Sequence, residues 1–458
     1  MWLQNAQYLE NNRDSLAYHE SRLTKMLYTS WPFAPVLDLS EKRLNKTIFH
    51  LAWPAILESL LQMTIFVTDS IMIGPLGTHA FAAVGQGSMM ASYMIFPLWS
   101  LGTATSAVVA RYIGAQDMKS ARKGAGQGIF LAILIGLVYT GAGVYFAGDL
   151  LILIGTPQEI AESSGVYLAI LLGFCCFQAI RLVGSSILRA TGDTRTPMWA
   201  TAVMNGFNIL ANWVLIYGIG PFPRMEVAGV ALASGLSYVI SACIVMWKLT
   251  RKNPVFFITR SDMTQIARDI LRTILRIAGP NMAEMVLMRA GGLTYIWIVT
   301  SLGTVSLAAH YMAIRVESFA FMPAFGLAMA VPPLVGQALG AGKPEMAILA
   351  VRRTVKAGVY GMIVLGFLFI LVPGVFVRIF SPEPDVYSIA SIVVQISALE
   401  LIGVTLNMIY GGAMRGAGDT VSPMIVTFIG AISKDQPGLL DDHFAGLGAV
   451  RRMDCHGD

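Results

Sequence analysis

The sequence predicts an all-α integral membrane protein made of two parallel six-helix repeats, with about 10–11 spans discernible. Three observations lead there. The 458 residues are 55% hydrophobic and 13% charged, with a mean hydropathy of +0.64. Soluble domains carry about 25% charged residues. Residues 130–148 and 359–377 each run for nineteen positions without a charge, close to the ~20 helical residues that cross a bilayer core of about 30 Å. A short phrase is also written twice, "LRATGDTRTPM" at 188–198 and "MRGAGDTVSPM" at 414–424, 226 positions apart.

Residues 1–46 are polar and mixed, with no short apolar stretch of signal-peptide type, and read as a cytoplasmic N-terminal segment. The stretch 37–54 can lie at the interface and lead into the first span. Apolar runs then mark spans at 48–73, 80–110, 124–148, 166–188, 197–218 and 228–248, which together make an N-lobe over 47–250. Residues 251–273 are cationic and read as a cytoplasmic linker between lobes. A C-lobe over 274–432 follows, with spans at 275–300, 305–338, 357–379 and 389–412 and a stub at 421–432. Backbone groups inside a bilayer need partners within their own segment, so the spans are helices. Residues 433–458 turn polar, contain Pro437, and read as an aberrant tail.

Charge placement orients these spans. Alternate loops carry Arg111, Lys119, Arg122 and Lys123, then Arg189 and Arg195, then a run from Lys248 to Arg276, then Lys343, Arg352, Arg353 and Lys356, and finally Arg415. The opposite loops carry Arg224 and Arg378. Basic loops stay cytoplasmic, which puts the N-terminus inside, with the plasma (inner) membrane as the expected location. The net charge of +5 is then a topology signal and calls for no nucleic-acid partner. Cys175, Cys176, Cys243 and Cys455 have neither zinc nor disulfide-framework spacing. No GxxxxGK[ST] phosphate loop is written anywhere, and "GAQDMKSARKGAGQG" lacks its order. No cofactor, no enzymatic reaction and no metal is expected, apart from a coupling ion.

The repeat holds one register without gaps. Adding 226 takes Pro54 to Pro280, Glu58 to Glu284, Pro97 to Pro323, and Arg189, Gly192, Asp193 and Pro197 to Arg415, Gly418, Asp419 and Pro423. An even number of spans per unit gives both units the same orientation, related by an axis along the membrane normal, with a central cleft between them. The doubled phrase itself reads as loop chemistry. Arg189 suits the cytoplasmic end of its helix and the lipid phosphates, Gly192 the turn after it, and Asp193 or Thr194 a cap for the next helix.

Ionisable groups at bilayer depth are costly and mark function by default. Asp69 lies late in the first span, with Glu58 eleven residues earlier on the same face. The fifth span carries Thr201, Asn205, Asn208 and Asn212 within an arc of about 60° at 100° per residue. Asp69 opposite this stripe would form a site for H+ or Na+. Interhelical hydrogen bonding by the Asn side chains is the plainer alternative. The second unit offers Glu284, Glu317 and Glu400 as a further polar site. A Glu317–Arg289 ion pair is the structural alternative there.

The doubled "RxxGDTxxPM" phrase, "VTDSIMIGPLG" (67–77) and "SLGTVSLAAHYMAIRVESFAFMPAFGLAMAVPPLVGQALGAG" (301–342) resemble the multidrug and toxic compound extrusion (MATE) family over about residues 45–430. That resemblance implies a twelve-helix exporter of amphipathic, often cationic organic compounds, driven by inward flow of H+ or Na+. It implies that Asp69 works with Asn208, and that Asn212 stands where some members have an acid. Small-molecule substrates, the bilayer and a monomeric state are the expected partners. The family pattern breaks after Ser433, so that the eleventh span is interrupted and the twelfth is absent. Two rival readings stand beside export. One is a lipid-linked oligosaccharide flippase, weakened by five deep carboxylates against three deep arginines. The other is a truncated remnant that does not transport.

Overall fold

A computed structural model describes residues 37–434, apart from 154–155, 252–255, 302–303 and 379–383. Residues 1–36 and nearly all of the polar tail lie outside the described residues. The chain forms helices α1 (Leu44–Ile73), α2 (Thr78–Gly114), α3 (Met118–Leu153), α4 (Gln158–Gly173), α5 (Cys175–Ala190), α6 (Arg195–Tyr217) and α7 (Glu226–Thr250). The short α8 (Arg260–Thr264) leads into α9 (Arg268–Ser301), α10 (Thr304–Gly340), α11 (Pro344–Leu371), α12 (Pro373–Arg378), α13 (Pro384–Ala417) and α14 (Val421–Lys434). Among the described residues, 8 helices are long and apolar enough to cross a membrane, or 9 when α4 and α5 count as one bent span. The sequence reading of 10–11 spans also counted α9 and the stub α14.

One expected span is broken. Residues 166–188 read as one helix, yet α4 and α5 meet at Phe174 at an angle of 53°. Gly173 is a weak helix former at the break, and the Phe174 ring fits against Gly235 of α7. The lipid-facing surface is apolar as a bilayer demands. Leu137, Val144 and Phe146 on α3 and Tyr360, Phe367 and Leu371 on α11 are all exposed, a surface that water would not tolerate at this extent.

Three apolar clusters hold the helices. The first repeat buries Leu98, Ile129, Leu168, Ile187 and Val245 together. The second buries Ala313, Phe369, Val394 and Leu401. A third crosses between repeats, setting Leu44 and Leu51 of α1 against Leu334 and Val335 of α10 and Val351 of α11.

The register of 226 is visible in three dimensions. The Cβ that any other residue would place at Gly114 falls 2.1 Å from the Gln337 carbonyl, and the one at Gly340 falls 2.0 Å from the Arg111 carbonyl. Positions 114 and 340 are equivalent, and so are 111 and 337. Each half thus makes the other's contact in return, the signature of a twofold axis, here running between the basic-loop ends of α2 and α10. Real Cβ atoms do not approach that closely, so these two helices can cross here only as glycines.

Further bonds tie the repeats at the same end. Gln337 donates through Nε2 to the Ala190 carbonyl and accepts through Oε1 from the Leu37 N–H, both at 2.8 Å. Roughly 20 Å deeper along α2 and α10, Ser100 Oγ donates to the Ala278 carbonyl at 2.6 Å, and the Trp99 and Phe325 rings meet edge-on at 5.7 Å. The linker packs down as well. Thr259 and Asp262 close a capping box on α8, and Gln127 of α3 donates to the carbonyls of Asp262 and Gln265 at 3.2 Å.

Candidate functional site

The polar stripe of α6 meets α1 inside the first repeat. Asn212 Nδ2 donates to Asp69 Oδ1 at 2.5 Å and to Asn208 Oδ1 at 3.2 Å. Asn208 passes the chain on, donating to Ser234 Oγ of α7 at 3.2 Å. Asn205 Nδ2 donates to the Leu61 carbonyl at 2.6 Å, so α1 is held to α6 at two levels. Thr201, Asn205, Asn208 and Asn212 are all buried. Two buried acceptors here, Asn205 Oδ1 and Asn212 Oδ1, have no hydrogen-bond partner among the described residues. Buried polar atoms are normally satisfied, so each such orphan asks for an explanation. One carboxylate and spare amide oxygens are what a small hard cation or a proton needs. No group of three or more His, Cys, Asp or Glu among the described residues has metal-site geometry.

Four residues of this region escaped the sequence reading as site members. Ser234 ends the amide chain. Arg181, 5% exposed, donates from Nε to Gln178 Oε1 at 2.8 Å and sits with its guanidinium 5.8 Å from the Tyr238 ring centre. Tyr238 and Tyr167 are close enough for Asp69 to act on them electrostatically. Their signal in the sequence is faint, because single Ser and Tyr residues are common in membrane helices.

Glu58 does not join Asp69. It accepts two hydrogen bonds from Arg189 Nη1, both at 3.1 Å, with side-chain exposures of 7% for Arg189 and 2% for Glu58. Arg189 also donates to Ser186 Oγ at 3.1 Å. This corrects the reading of Arg189 as a cation presented to lipid phosphate: a buried carboxylate on α1 takes it inward. The second repeat copies the pair. Arg415 Nη1 donates to both oxygens of Glu284 at 3.1 Å, with exposures of 21% and 9%.

The doubled loop phrase is copied too. Asp193 accepts from the Thr196 N–H and hydroxyl at 2.9 and 2.6 Å, and Asp419 accepts from the Ser422 N–H and hydroxyl at 3.0 and 2.6 Å. Gly192 and Gly418 precede these caps with φ of 87° and 86°, a conformation suited to glycine. Of the two cap candidates, Asp193 supplies the side chain, whereas Thr194 makes no side-chain cap bond.

The three carboxylates proposed for the second unit are divided. Glu284 is in the Arg415 pair, while Glu317 and Glu400 lie near enough for their charges to interact. Glu317 accepts a short hydrogen bond from Ser397 Oγ, and Glu400 is exposed. The expected Glu317–Arg289 pair is not formed. Arg289 instead lies 4.8 Å over the Phe96 ring of α2, where a cation–π contact replaces the carboxylate.

The MatE family matches residues 54–214 and 280–434, one block in each repeat. A Thermotoga maritima protein named as probable multidrug resistance protein NorM is 31% identical over 388 residues, covering 84% of this chain and 83% of its own. A Mesorhizobium japonicum protein of the same name is 31% identical over 402 residues, covering 83% of each. Among solved structures, an outward-facing multidrug resistance MATE family transporter of the MOP superfamily superposes with a TM-score of 0.78 at 24% identity, over 84% of this chain and 85% of that one. A MATE protein in its bent conformation gives 0.77 over the same shares. The two structures bear on the fold alone. The paired family blocks, together with relatives 31% identical across most of their length, make this chain a multi-pass membrane protein of the MatE family, whose members are transporters and not enzymes.

Proposed function

We propose that this protein is a multidrug exporter of the plasma membrane, moving amphipathic, often cationic compounds outward in exchange for H+ or Na+. The single observation that carries the reading is Asp69 held by Asn212 on a buried amide chain that ends at Ser234. In this account residues 47–250 and 274–432 are the two lobes, 251–273 is the linker, and residues 1–46 lie in the cytoplasm. The lobes touch at the basic-loop ends of α2 and α10; with those loops in the cytoplasm, this contact closes the cleft on the cytoplasmic side, and the outward-open state is the one this reading assigns to it.

Asp69 binds the coupling ion from outside. Ionised Asp69 accepts from Asn212, and Asn205 and Asn208 keep α1 and α6 in register. With its charge neutralised, Asp69 no longer favours the outward-open packing, and the lobes exchange contacts. Only an ion that binds the two states unequally can drive this. Glu317 and Glu400 act on substrate, as a weakly acidic wall of the cleft that favours cations. The same acidity argues against a lipid-linked oligosaccharide flippase, whose cleft would have to hold pyrophosphate.

Everted membrane vesicles test the proposal, with ethidium uptake driven by an imposed pH or Na+ gradient. Wild type accumulates the dye under at least one gradient. Asp69→Asn binds ethidium but does not accumulate it. Gradient-driven uptake by Asp69→Asn equal to wild type would remove Asp69 from the coupling. Absence of uptake by wild type under either gradient would support a non-transporting remnant.

A further inference from the structure

Away from the Asp69 site, a groove of about 620 Å³ opens between the repeats. Asn45, Phe49, Trp53 and Ile56 of α1 form one wall, and α10 and α11 form the other. Its volume lies within the range of ordinary ligand sites, about 300–1,000 Å³. Its composition is graded along its length. At the basic-loop end stand Asn45, Arg353 and Lys356. From there, apolar residues line the wall as far as Ile56, eleven residues or about 16 Å deeper along α1.

The charged end is set at the level where a headgroup would sit. Arg353 Nη1 donates to the Glu41 carbonyl and to Asn45 Oδ1, both at 3.1 Å, and Nη2 to the Glu41 carboxylate at 3.3 Å. Glu41 is 72% exposed, so its hold on Arg353 is that of a solvated surface pair. Lys356 is exposed, and no described carboxylate forms an ion pair with it. It is also where the uncharged run of α11 begins. A cation with a free ammonium at the edge of the hydrocarbon, above an apolar slot facing lipid, matches an anionic phospholipid and mismatches a neutral one.

Deeper in, Gly361 keeps the slot open. A Cβ built there meets nothing within 4 Å, so glycine is not required by crowding at that position. Phe49, 67% exposed, offers an aromatic edge to an acyl chain along the opposite wall.

We propose that this groove binds one anionic phospholipid from the leaflet that the basic loops face, with its phosphate on Lys356 and Arg353 and an acyl chain along Phe49, Trp53 and Gly361. The bound lipid bridges α1 to α11, that is, one repeat to the other. It therefore stabilises the packing described here and must slide out when the repeats part.

Native mass spectrometry of the full chain in detergent tests this, titrating dioleoylphosphatidylglycerol against dioleoylphosphatidylcholine, which differ in the headgroup alone. Two cations at this level predict a preference for phosphatidylglycerol on the order of tenfold. Lys356→Glu is expected to remove most of that preference and leave phosphatidylcholine binding unchanged. Gly361→Leu fills the slot without a Cβ clash and is expected to weaken both lipids at least fivefold, while the lipid-free protein keeps its wild-type thermal midpoint. Equal binding of the two lipids by wild type would overturn the proposal. So would wild-type phosphatidylglycerol binding by Gly361→Leu, or displacement of that lipid by stoichiometric tetraphenylphosphonium, which would assign the groove to a transported cation.

Discussion

Replacing Arg189 with Met leaves the Glu58 carboxylate, 2% exposed, facing an apolar side chain of similar reach. Removing one partner of a buried ion pair costs about 3–5 kcal/mol, because the remaining charge is stranded, whereas replacing both partners with neutral groups is often close to neutral. Arg189→Met is therefore expected at the upper part of that range, and Arg189→Met with Glu58→Gln at about 1 kcal/mol or less. The copied pair supplies an internal control. Arg415 is 21% exposed against 7% for Arg189, so water can relieve a stranded Glu284, and Arg415→Met should cost roughly half as much. Thermal unfolding of purified protein in detergent, read by tryptophan fluorescence, ranks the four proteins. The midpoint should fall furthest in Arg189→Met, less in Arg415→Met and least in the double variant. Equal losses in the two single variants, or a double variant no better than Arg189→Met, would refute the reasoning, since burial would then not be what sets the cost.

Other predictions follow from single contacts. Gly114→Leu forces a side chain onto the Gln337 carbonyl; spin labels across the basic-loop ends of α2 and α10 should report separation of several ångströms, and an unchanged distance would contradict the closed crossing. Gln337→Ala orphans the Leu37 N–H and the Ala190 carbonyl, at about 1–3 kcal/mol for each group left buried without a partner. Chemical denaturation would measure that loss. Asp419 lies in the loop before α14, and its hydrogen bonds from the Ser422 hydroxyl and N–H hold its carboxyl below the ordinary carboxylate range. Its cap therefore stabilises at neutral pH and is lost as pH falls through that lowered value; in Asp419→Asn, the protection of the Val421 and Ser422 amides against hydrogen exchange should no longer change with acid.

Much of the architecture was legible because it rests on patterns that a bilayer enforces. Uncharged runs, alternating basic loops and a gapless register of 226 each report something the membrane requires of the backbone. Asp69 and Asn212 were legible as facing groups because helical angle places the Asn stripe on one side of α6, and a stripe needs a partner. The pairing of Glu58 with Arg189 was not, since 131 residues separate them and no local spacing links them. The signal was present in another form: the register carries both the acid and the base into the second repeat, as Glu284 and Arg415. Two charges retained together in two copies are a stronger hint of mutual contact than either charge alone. The bend at Phe174 had no comparable signal, because one glycine in an apolar run fits a straight span equally well.

In the proposed cycle Asp69 is the group that exchanges the coupling ion when substrate binds. Calorimetric titration of purified protein with tetraphenylphosphonium, repeated in buffers of different ionisation heat and with and without NaCl, counts protons and detects Na+ displaced at binding. Wild type should release close to one ion per substrate, seen as buffer dependence for H+ or salt dependence for Na+. Asp69→Asn should bind substrate within about threefold and release neither. Undiminished ion release from Asp69→Asn would contradict the account at its centre.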